Sequence, residues 1–254
     1  MKSFLIFTKK ELIEQVRTYK TLILLAVFFL FGLMSPVLAK LLPDLLEGMD
    51  LQGMKLVIPE PTVLDAYGQF FKNMTQMGIL VMLLVFGGVL SNELTRGTLI
   101  NILSKGLPRY TVLLSKFIAS ILLWTFAYIV AAAVNYGYTE YLFEDTAVQN
   151  LIFSFFCLWL FGCLVIALIL LSSTVIAGNF GGLILSAAAL ASMLLLNIFP
   201  DLESINPVTL ASKNVALLTG DVSVEKLIPT IVTTGVFILG SLLLSTLLFH
   251  RKRL

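Results

Sequence analysis

Residues 92–116 read NELTRGTLINILSKGLPRYTVLLSK and lie between two long hydrophobic stretches. The segment carries four basic residues and one acidic residue, and a short basic loop of this kind is expected on the cytoplasmic side of a membrane. It predicts a short amphipathic helix, a Gly-Leu-Pro break at residues 106–108 and another membrane helix from about Tyr110. The apolar residues of the amphipathic helix are Leu94, Leu99, Ile102 and Leu103.

The composition assigns the whole chain to a membrane. Hydrophobic residues make up 58% of its 254 residues and the mean hydropathy is +0.98, which is more apolar surface than a soluble domain of this length can bury. A helical span needs roughly 20 apolar residues, and six stretches qualify, the second being the weakest because Thr75 and Gln76 interrupt it. We therefore predict an all-α integral membrane protein, a single domain over residues 1–254, with spans at 21–39, 74–91, 112–133, 151–171, 175–199 and 227–249.

Residues 151–199 are too long for one span, so the chain is expected to turn within them. The segment SSTVIAGNFGG, Ser172 to Gly182, collects residues that favour turns. It predicts a tight helical hairpin between the fourth and fifth spans.

The distribution of basic residues predicts the orientation of the spans. With both termini in the cytoplasm, the inner segments hold twelve basic residues and three acidic ones, whereas the outer segments hold five basic residues. The net charge of +2 hides this asymmetry and gives no indication of a nucleic-acid partner. The inner basic residues are Lys2, Lys9, Lys10, Arg17, Lys20, Arg96, Lys105, Arg109, Lys116, Arg251, Lys252 and Arg253.

Residues 1–20 predict an amphipathic helix lying on the inner membrane surface. Leu5, Leu12, Val16 and Tyr19 fall on one face, and Lys9 can extend its ammonium group to the interface. A merely hydrophilic leader is one alternative. A cleaved signal peptide ending near residues 37–39 is the other, but the twenty preceding residues are too many for a signal n-region.

The sequence offers no catalytic or metal-binding constellation. The single histidine, His250, lies in the basic tail at residues 250–254, so zinc sites built on histidine and Ser/His relays lack their components. Cys157 and Cys163 are six residues apart, which places them on different sides of a helix, and no phosphate-binding GxxxxGK[ST] loop is present. We expect no enzymatic activity, cofactor or metal in this chain itself.

Two further features concern transport and assembly. The central parts of the spans hold Asn, Ser, Thr and Tyr but no ionisable residue, which disfavours a self-powered secondary transporter, although sodium coupling through backbone carbonyls stays open. Gly178 and Gly182 form a GxxxG pair that small residues extend into the fifth span. Such a face serves packing within one subunit or a subunit interface equally well.

The layout and the segment 93–116 resemble the permease subunits of ABC-2 type exporters. The resemblance covers the whole chain, with a cytoplasmic amphipathic helix, six spans and a longer outer loop before the sixth, where Asn206-Pro207 is a weak further match. The chain departs from the family pattern by inserting residues 105–107 before the proline. The matching positions are Glu93, Gly97, Thr98, Leu99, Leu103, Ser104, Pro108, Arg109 and Lys116.

The resemblance implies a permease that stands on two ABC ATPase subunits, which bind ATP and Mg, together with a second permease copy in a homodimer or a heterodimer, of which we expect the homodimer. It also implies a prokaryotic plasma (inner) membrane location, with the loop between spans 2 and 3 acting as a coupling helix. Ordinary anchoring of a basic loop is the alternative reading of that segment. The coupling residues would be Glu93, Arg96, Gly97, Thr98, Leu99, Leu103, Pro108 and Arg109.

Uncharged spans favour an amphipathic or hydrophobic cargo, and the resemblance favours export of a bacteriocin-like peptide toxin or an antibiotic. The expected substrate path runs beside Asn179, Ser186, Ser192 and Asn197. The alternatives are a stand-alone secondary carrier or channel, for example for sodium export, and a membrane scaffold that transports nothing.

Overall fold

The computed structural model describes residues 2–47, 60–95, 97–104, 106–144, 147–176, 178 and 180–251. Every regular element in these residues is helical, which confirms the predicted all-α class. The helices are α1 (Lys2–Arg17), α2 (Lys20–Glu47), α3 (Val63–Asn73), a π-helical segment (Met74–Gly78), α4 (Ile79–Phe86), α5 (Ser91–Thr95), α6 (Thr98–Leu103), α7 (Arg109–Leu142), α8 (Leu151–Val175), α9 (Gly181–Leu196), α10 (Pro200–Glu203), α11 (Thr209–Ser212), α12 (Asn214–Thr219) and α13 (Val224–Arg251).

Five helical stretches in the described residues are long and apolar enough to cross a membrane, and a sixth apolar helix is shorter. The long ones are Lys20–Pro43, Val63–Thr95, Arg109–Leu142, Leu151–Val175 and Val224–Arg251. The sixth, α9, has 16 residues, or about 24 Å at 1.5 Å per residue, which is less than the roughly 30 Å of a bilayer core. The predicted fifth span at 175–199 is therefore helical only in its central part.

The second span begins eleven residues earlier than the apolar run indicated. The backbone N–H of Thr62 donates to Asp65 Oδ2 at 2.8 Å, which satisfies an amide at the start of α3. Asp65, Gln69 and Lys72 interrupt the apolar run here, yet the other face of α3 buries residues including Tyr67 and Phe70. Thr75 and Gln76, the polar pair noted above, lie in the π-helical segment that continues α3 into α4.

The hairpin between the fourth and fifth spans forms where the turn residues predicted it. Helix α8 ends at Val175 and α9 starts at Gly181, with Gly178 at φ +142° between them. A Cβ on Gly182 would lie 2.3 Å from Ser173 Oγ, so glycine permits this close contact. Gly182 thus packs against α8 within this chain.

The core is built around α7 and α8. Gly32 of α2 lies against the Ala131 carbonyl oxygen of α7, and a Cβ there would be only 2.5 Å away. The Trp124 ring packs edge-on against Phe28 with centroids 5.5 Å apart, and its Nε1 donates to the Trp159 carbonyl at 3.1 Å. Helix α8 in turn contacts α4, α9, α11, α12 and α13. These contacts fix the helix ends that carry the charged site described below.

Residues 197–223 hold α10 to α12 and cover one end of the bundle; we call them the cap segment. Asn206 Nδ2 donates to the Met193 carbonyl at 2.7 Å, and Thr209 Oγ1 donates to the Glu203 carbonyl at 2.7 Å and Asn197 Oδ1 at 3.1 Å. Helices α11 and α12 also pack on α8. Asn206 thus bonds the cap segment to α9, and Thr209 joins residues within the segment.

The alternative of a signal peptide ending near residues 37–39 does not match the helix found there. Helix α2 continues through these residues to Glu47, and Ala39 is buried. The same helix packs along α7 and α3. Residues 37–39 therefore belong to a packed membrane helix.

Candidate functional site

The loop between α4 and α7 consists of two short helices that glycines terminate. Gly97 has φ +67° after α5 and Gly106 has φ +86° after α6, values that L-residues other than glycine adopt with strain. The Gly97 and Gly106 amides donate to the carbonyls of Leu94 and Leu103. Gly106, inside the stretch that departs from the family pattern, therefore closes α6, and Pro108 precedes the first turn of α7.

Helices α5 and α6 have the amphipathic character that the sequence predicted. Leu99 is buried, and Leu94 and Leu103 pack partly against the core. Thr98 and Ser104 are exposed. The loop therefore has one face on the bundle and, at Thr98 and Ser104, an exposed face. Arg96 lies outside the described residues, as does the side chain of Ile102.

A cluster of ion pairs joins α5 to α1 and α7. Lys116 Nζ lies 2.8 Å from Glu11 Oε2 and 2.8 Å from Glu93 Oε2. Lys10 Nζ lies 3.1 Å from Glu11 Oε1, 3.3 Å from Glu93 Oε1 and 2.6 Å from Glu14 Oε2. Glu11 and Glu93 thus each bridge both lysines, one carboxylate oxygen to each ammonium.

The centre of this ion cluster is removed from solvent. Lys116 is 1% exposed, Glu11 2% and Glu93 13%. Among the described residues, Glu11 and Lys116 are the buried charged side chains. A buried charge needs a partner of opposite sign because desolvation is otherwise too costly. The cluster therefore fixes where α1, α5 and α7 meet.

The two more exposed members of the cluster, Lys10 and Glu14, have shifted pKa values. Burial alone would lower the pKa of Lys10, but the hydrogen bond to Glu14 and the charges of Glu11 and Glu93 raise it above its ordinary value. Burial alone would raise the pKa of Glu14, but its hydrogen bond to Lys10 and the charges of Lys10 and Lys116 lower it. Both side chains are therefore charged at neutral pH.

Three carboxylates of the cluster, from Glu11, Glu14 and Glu93, place oxygen atoms within 4.8 Å of one another. Such a grouping can coordinate a metal ion. Here, however, the ammonium groups of Lys10 and Lys116 already supply the positive charge. The arrangement is an ion-pair cluster.

Arg109, the first residue of α7, connects that helix to the last span. Its Nη1 donates to the backbone carbonyls of Phe249 and His250, the latter at 2.9 Å, and its guanidinium lies 5.6 Å from the centre of the Phe249 ring. These carbonyls belong to the last turn of α13, where acceptors lack helical donors. The loop is thus bonded to α1 and α7, and the start of α7 is bonded to α13. We call this end of the bundle, with α1, α5, α6 and the carboxyl end of α13, the basic end.

The face of α1 that contacts the bundle is polar, which the sequence did not reveal. Phe7, Glu11 and Gln15, spaced four residues apart, are buried. Leu5, Val16 and Tyr19 of the expected apolar stripe are exposed, and Leu12 is half-buried. An outward apolar stripe is what a helix lying in a membrane interface needs. The spacing of Phe7, Glu11 and Gln15, four residues apart and thus on one helix face, is the sequence signal that could have identified Glu11 as a buried residue.

Three of the four expected path residues lie in the described part of the chain. Ser186 is buried and its Oγ donates to the Gly182 carbonyl at 2.7 Å, whereas Ser192 is exposed. Asn197 is bonded into the cap segment through Thr209. Asn179 lies outside the described residues. Cys157 and Cys163 are both free and buried.

These observations define a helical membrane protein with several spans. Among the described residues, its buried charged side chains lie where a short loop between two spans meets the helix bundle. The family model described as ABC-2 family transporter protein matches residues 5–254, and the chain belongs to that family. It is therefore a permease subunit of an ABC transporter, a membrane subunit that generally lacks an ATPase site and associates with an ABC ATPase. No curated protein matches the sequence.

Proposed function

We propose that this permease couples ATP hydrolysis by its partner to the export of an amphipathic or hydrophobic cargo, a peptide toxin or an antibiotic being favoured. Two permease copies, as a homodimer, stand on two ATPase subunits in a prokaryotic plasma membrane. The basic end and both termini face the cytoplasm, where the positive charges of Lys9, Lys10 and Arg17 agree with the positive-inside rule.

One observation carries this proposal: the loop is bonded to α1 and α7, and the first residue of α7 is bonded to the end of α13. Glu93 contacts Lys10 of α1 and Lys116 of α7, and Arg109 contacts the end of α13. A displacement of α5 and α6 by a partner therefore acts directly on the spans. A loop that served only as a membrane anchor would not need buried ion pairs to two other helices.

The partner supplies the energy in this mechanism. ATP and Mg bind in the ATPase subunits, and closure of those subunits on nucleotide presses on the exposed face of α5 and α6. Glu93 and Arg109 then transmit the displacement to α7 and α13, and a packed bundle of this kind responds by switching between discrete arrangements.

The described parts of the spans support a cargo without strong charge. The buried polar side chains of α13 are the hydroxyls of Thr230, Thr234, Ser241 and Ser245. A path lined by hydroxyl and apolar groups accommodates an amphipathic molecule without a buried counter-ion.

The test is co-expression with ABC ATPase subunits of the same organism, followed by purification and reconstitution in liposomes. We expect a stable complex whose ATP hydrolysis rises with cargo. Glu93→Gln should keep the complex but abolish that stimulation, since the ion pairs to Lys10 and Lys116 lose their charge. Glu203→Gln is the matched control, because Glu203 pairs with Lys213 at 2.6 Å in the cap segment, away from the loop.

Two outcomes would contradict the proposal. Ion-driven flux by the permease alone would show a secondary carrier. Equal stimulation of ATP hydrolysis in Glu93→Gln and the control would show that Glu93 takes no part in coupling.

A further inference from the structure

A cavity of about 470 Å³ opens beside the ion-pair cluster, between α1, the start of α2, the turn after α4, and α7. Its size lies in the range of ligand-binding pockets. Its wall is strongly polar and holds three lysines and three glutamates. The charged and amide residues of the wall are Lys10, Glu11, Glu14, Gln15, Lys20, Asn92, Glu93 and Lys116.

Gln15 is the side chain in this wall that lacks partners. It is 3% exposed, and neither its Nε2 nor its Oε1 forms a hydrogen bond with any described residue. A buried amide without partners is costly and calls for an explanation, such as a ligand that pairs with it. Gln15 is one of the residues that form the wall of the cavity.

Lys20 supplies a second vacant group. Lys10 and Lys116 are paired with the three glutamates, whereas Lys20 forms no ion pair with a carboxylate in the described part of the chain. The wall as a whole carries equal numbers of positive and negative side chains. A ligand with both an anionic and a cationic group, and no net charge, matches this wall better than a simple anion.

The wall of the cavity includes Lys20, the first residue of the first span. The neighbouring Tyr19, Leu22 and Ile23 are 68%, 61% and 46% exposed. Aromatic and aliphatic side chains at the start of a span contact the interface and the acyl chains. A lipid whose headgroup enters the cavity can therefore lay its acyl chains along α2.

We propose that this cavity binds the headgroup of a zwitterionic phospholipid that carries a primary ammonium group, of the phosphatidylethanolamine type. The phosphate accepts hydrogen bonds from the Lys20 ammonium and from Gln15 Nε2. The ligand's ammonium donates to Gln15 Oε1 and to the half-exposed Glu14 carboxylate. Each vacant group thereby gains a partner, and the neutrality of the wall is kept.

The test uses the full-length protein, purified in detergent, depleted of lipid and given short-chain lipids. Binding is followed by native mass spectrometry and by the rise in unfolding temperature. We expect dihexanoyl-phosphatidylethanolamine to bind more tightly than the phosphatidylcholine and phosphatidylglycerol analogues, because trimethylammonium cannot donate hydrogen bonds and glycerol carries no cation.

Two variants examine the assigned contacts. Lys20→Met and Gln15→Leu should each weaken phosphatidylethanolamine binding about tenfold, equivalent to about 1.4 kcal/mol. Lys9→Met is the matched control for charge on the same surface, since Lys9 is exposed and not part of the cavity wall. Without lipid, Gln15→Leu should unfold at the same or a higher temperature than the wild type, because the unpartnered amide is gone. That result separates lost binding from misfolding.

Several results would overturn the proposal. Equal binding of the phosphatidylcholine analogue would remove the role of the ammonium group, and tighter binding of phosphatidylglycerol would make the site anionic. Displacement of the lipid by free phosphoethanolamine at equal concentration would assign the site to a soluble ligand. Unchanged binding in both Lys20→Met and Gln15→Leu would place the lipid elsewhere.

Discussion

Replacing Lys116 by methionine is the sharpest test of the ion-pair cluster at the basic end. Lys116 is 1% exposed and lies 2.8 Å from Glu11 and 2.8 Å from Glu93. The substitution keeps most of the side-chain volume but leaves two carboxylates facing a buried site without its central cation. Breaking a buried pair by removing one partner costs about 3–5 kcal/mol.

The remaining lysine reduces this cost. Lys10 stays 3.1 Å from Glu11 and 3.3 Å from Glu93, so we expect a loss near the lower limit, about 3 kcal/mol. At about 2–4 °C per kcal/mol for a chain of this size, the unfolding temperature should fall by about 6–12 °C. This change in unfolding temperature is measured by thermal unfolding of both proteins in the same detergent, monitored by the fluorescence of Trp124 and Trp159.

The control for this experiment is the same substitution at an exposed pair. Lys213 is 37% exposed and lies 2.6 Å from Glu203, and such surface pairs contribute about 0–1 kcal/mol. Lys213→Met should therefore lower the unfolding temperature by less than about 4 °C. The double variant Lys116→Met with Glu11→Gln should recover part of the loss, since the buried negative charge is then removed. An equal fall in Lys116→Met and Lys213→Met would show that the cluster is hydrated and refute the reasoning.

Further expectations concern other contacts. Gly32→Ala would place a Cβ 2.5 Å from a carbonyl oxygen of α7 and should cost about 1–3 kcal/mol in thermal unfolding, whereas Gly137→Ala, with no described atom within 4 Å, should be neutral or stabilising. Arg109→Met removes donors from the last turn of α13 and should speed hydrogen exchange there at least about tenfold, since charged hydrogen bonds contribute about 1.5–3 kcal/mol; unchanged exchange would contradict the assigned contact. The ion pair of Lys10 and Glu14 should stabilise α1 from about pH 4.5 to about pH 10. Because the pKa of Glu14 is lowered, its contribution is lost when the pH falls and the carboxylate is protonated. Because the pKa of Lys10 is raised, its contribution is lost when the pH rises and the ammonium group is deprotonated. Both side chains are more than a third exposed, so Lys10→Met should lower the unfolding temperature only slightly, and the effect should be smaller still at high salt. A fall in unfolding temperature as large as that of Lys116→Met would contradict this expectation.

The membrane fold could be predicted from the sequence because lipid imposes a single strong condition, a long apolar helix, on each span. The turn between α8 and α9 was predictable for a related reason, since two spans without a charged linker need local turn formers. The start of the second span could not be found this way. The charged residues Asp65 and Lys72 are typical of a loop outside the membrane, so the sequence of α3 does not indicate a span. The packing of Tyr67 and Phe70 against Phe155 explains why α3 nevertheless forms part of the helical stretch.

The site was predictable in part, and the missing part depends on contacts between distant residues. The motif singled out Glu93, Arg109 and Lys116, but nothing local indicates that Glu11 lies beside Lys116, 105 residues further along the chain. Position along the fifth span likewise could not decide which of Ser186 and Ser192 faces inward, because that depends on the close contact of Gly182 with α8.

The burial of the cluster separates its two roles, stabilising the bundle and transmitting movement. Glu11 and Lys116 lie at its centre and pair with each other at 2.8 Å, so substitutions there should act mainly on stability. Glu93 lies at its edge, is 13% exposed and belongs to the short helix α5, whose neighbour α6 begins with the exposed Thr98. Glutamine at position 93 keeps the side chain's shape and leaves Glu11 paired with both lysines. A loss of cargo-stimulated ATP hydrolysis in Glu93→Gln with little fall in unfolding temperature would thus assign coupling to Glu93. A matching loss of both would mean that the ion pairs of Glu93 act on the fold alone.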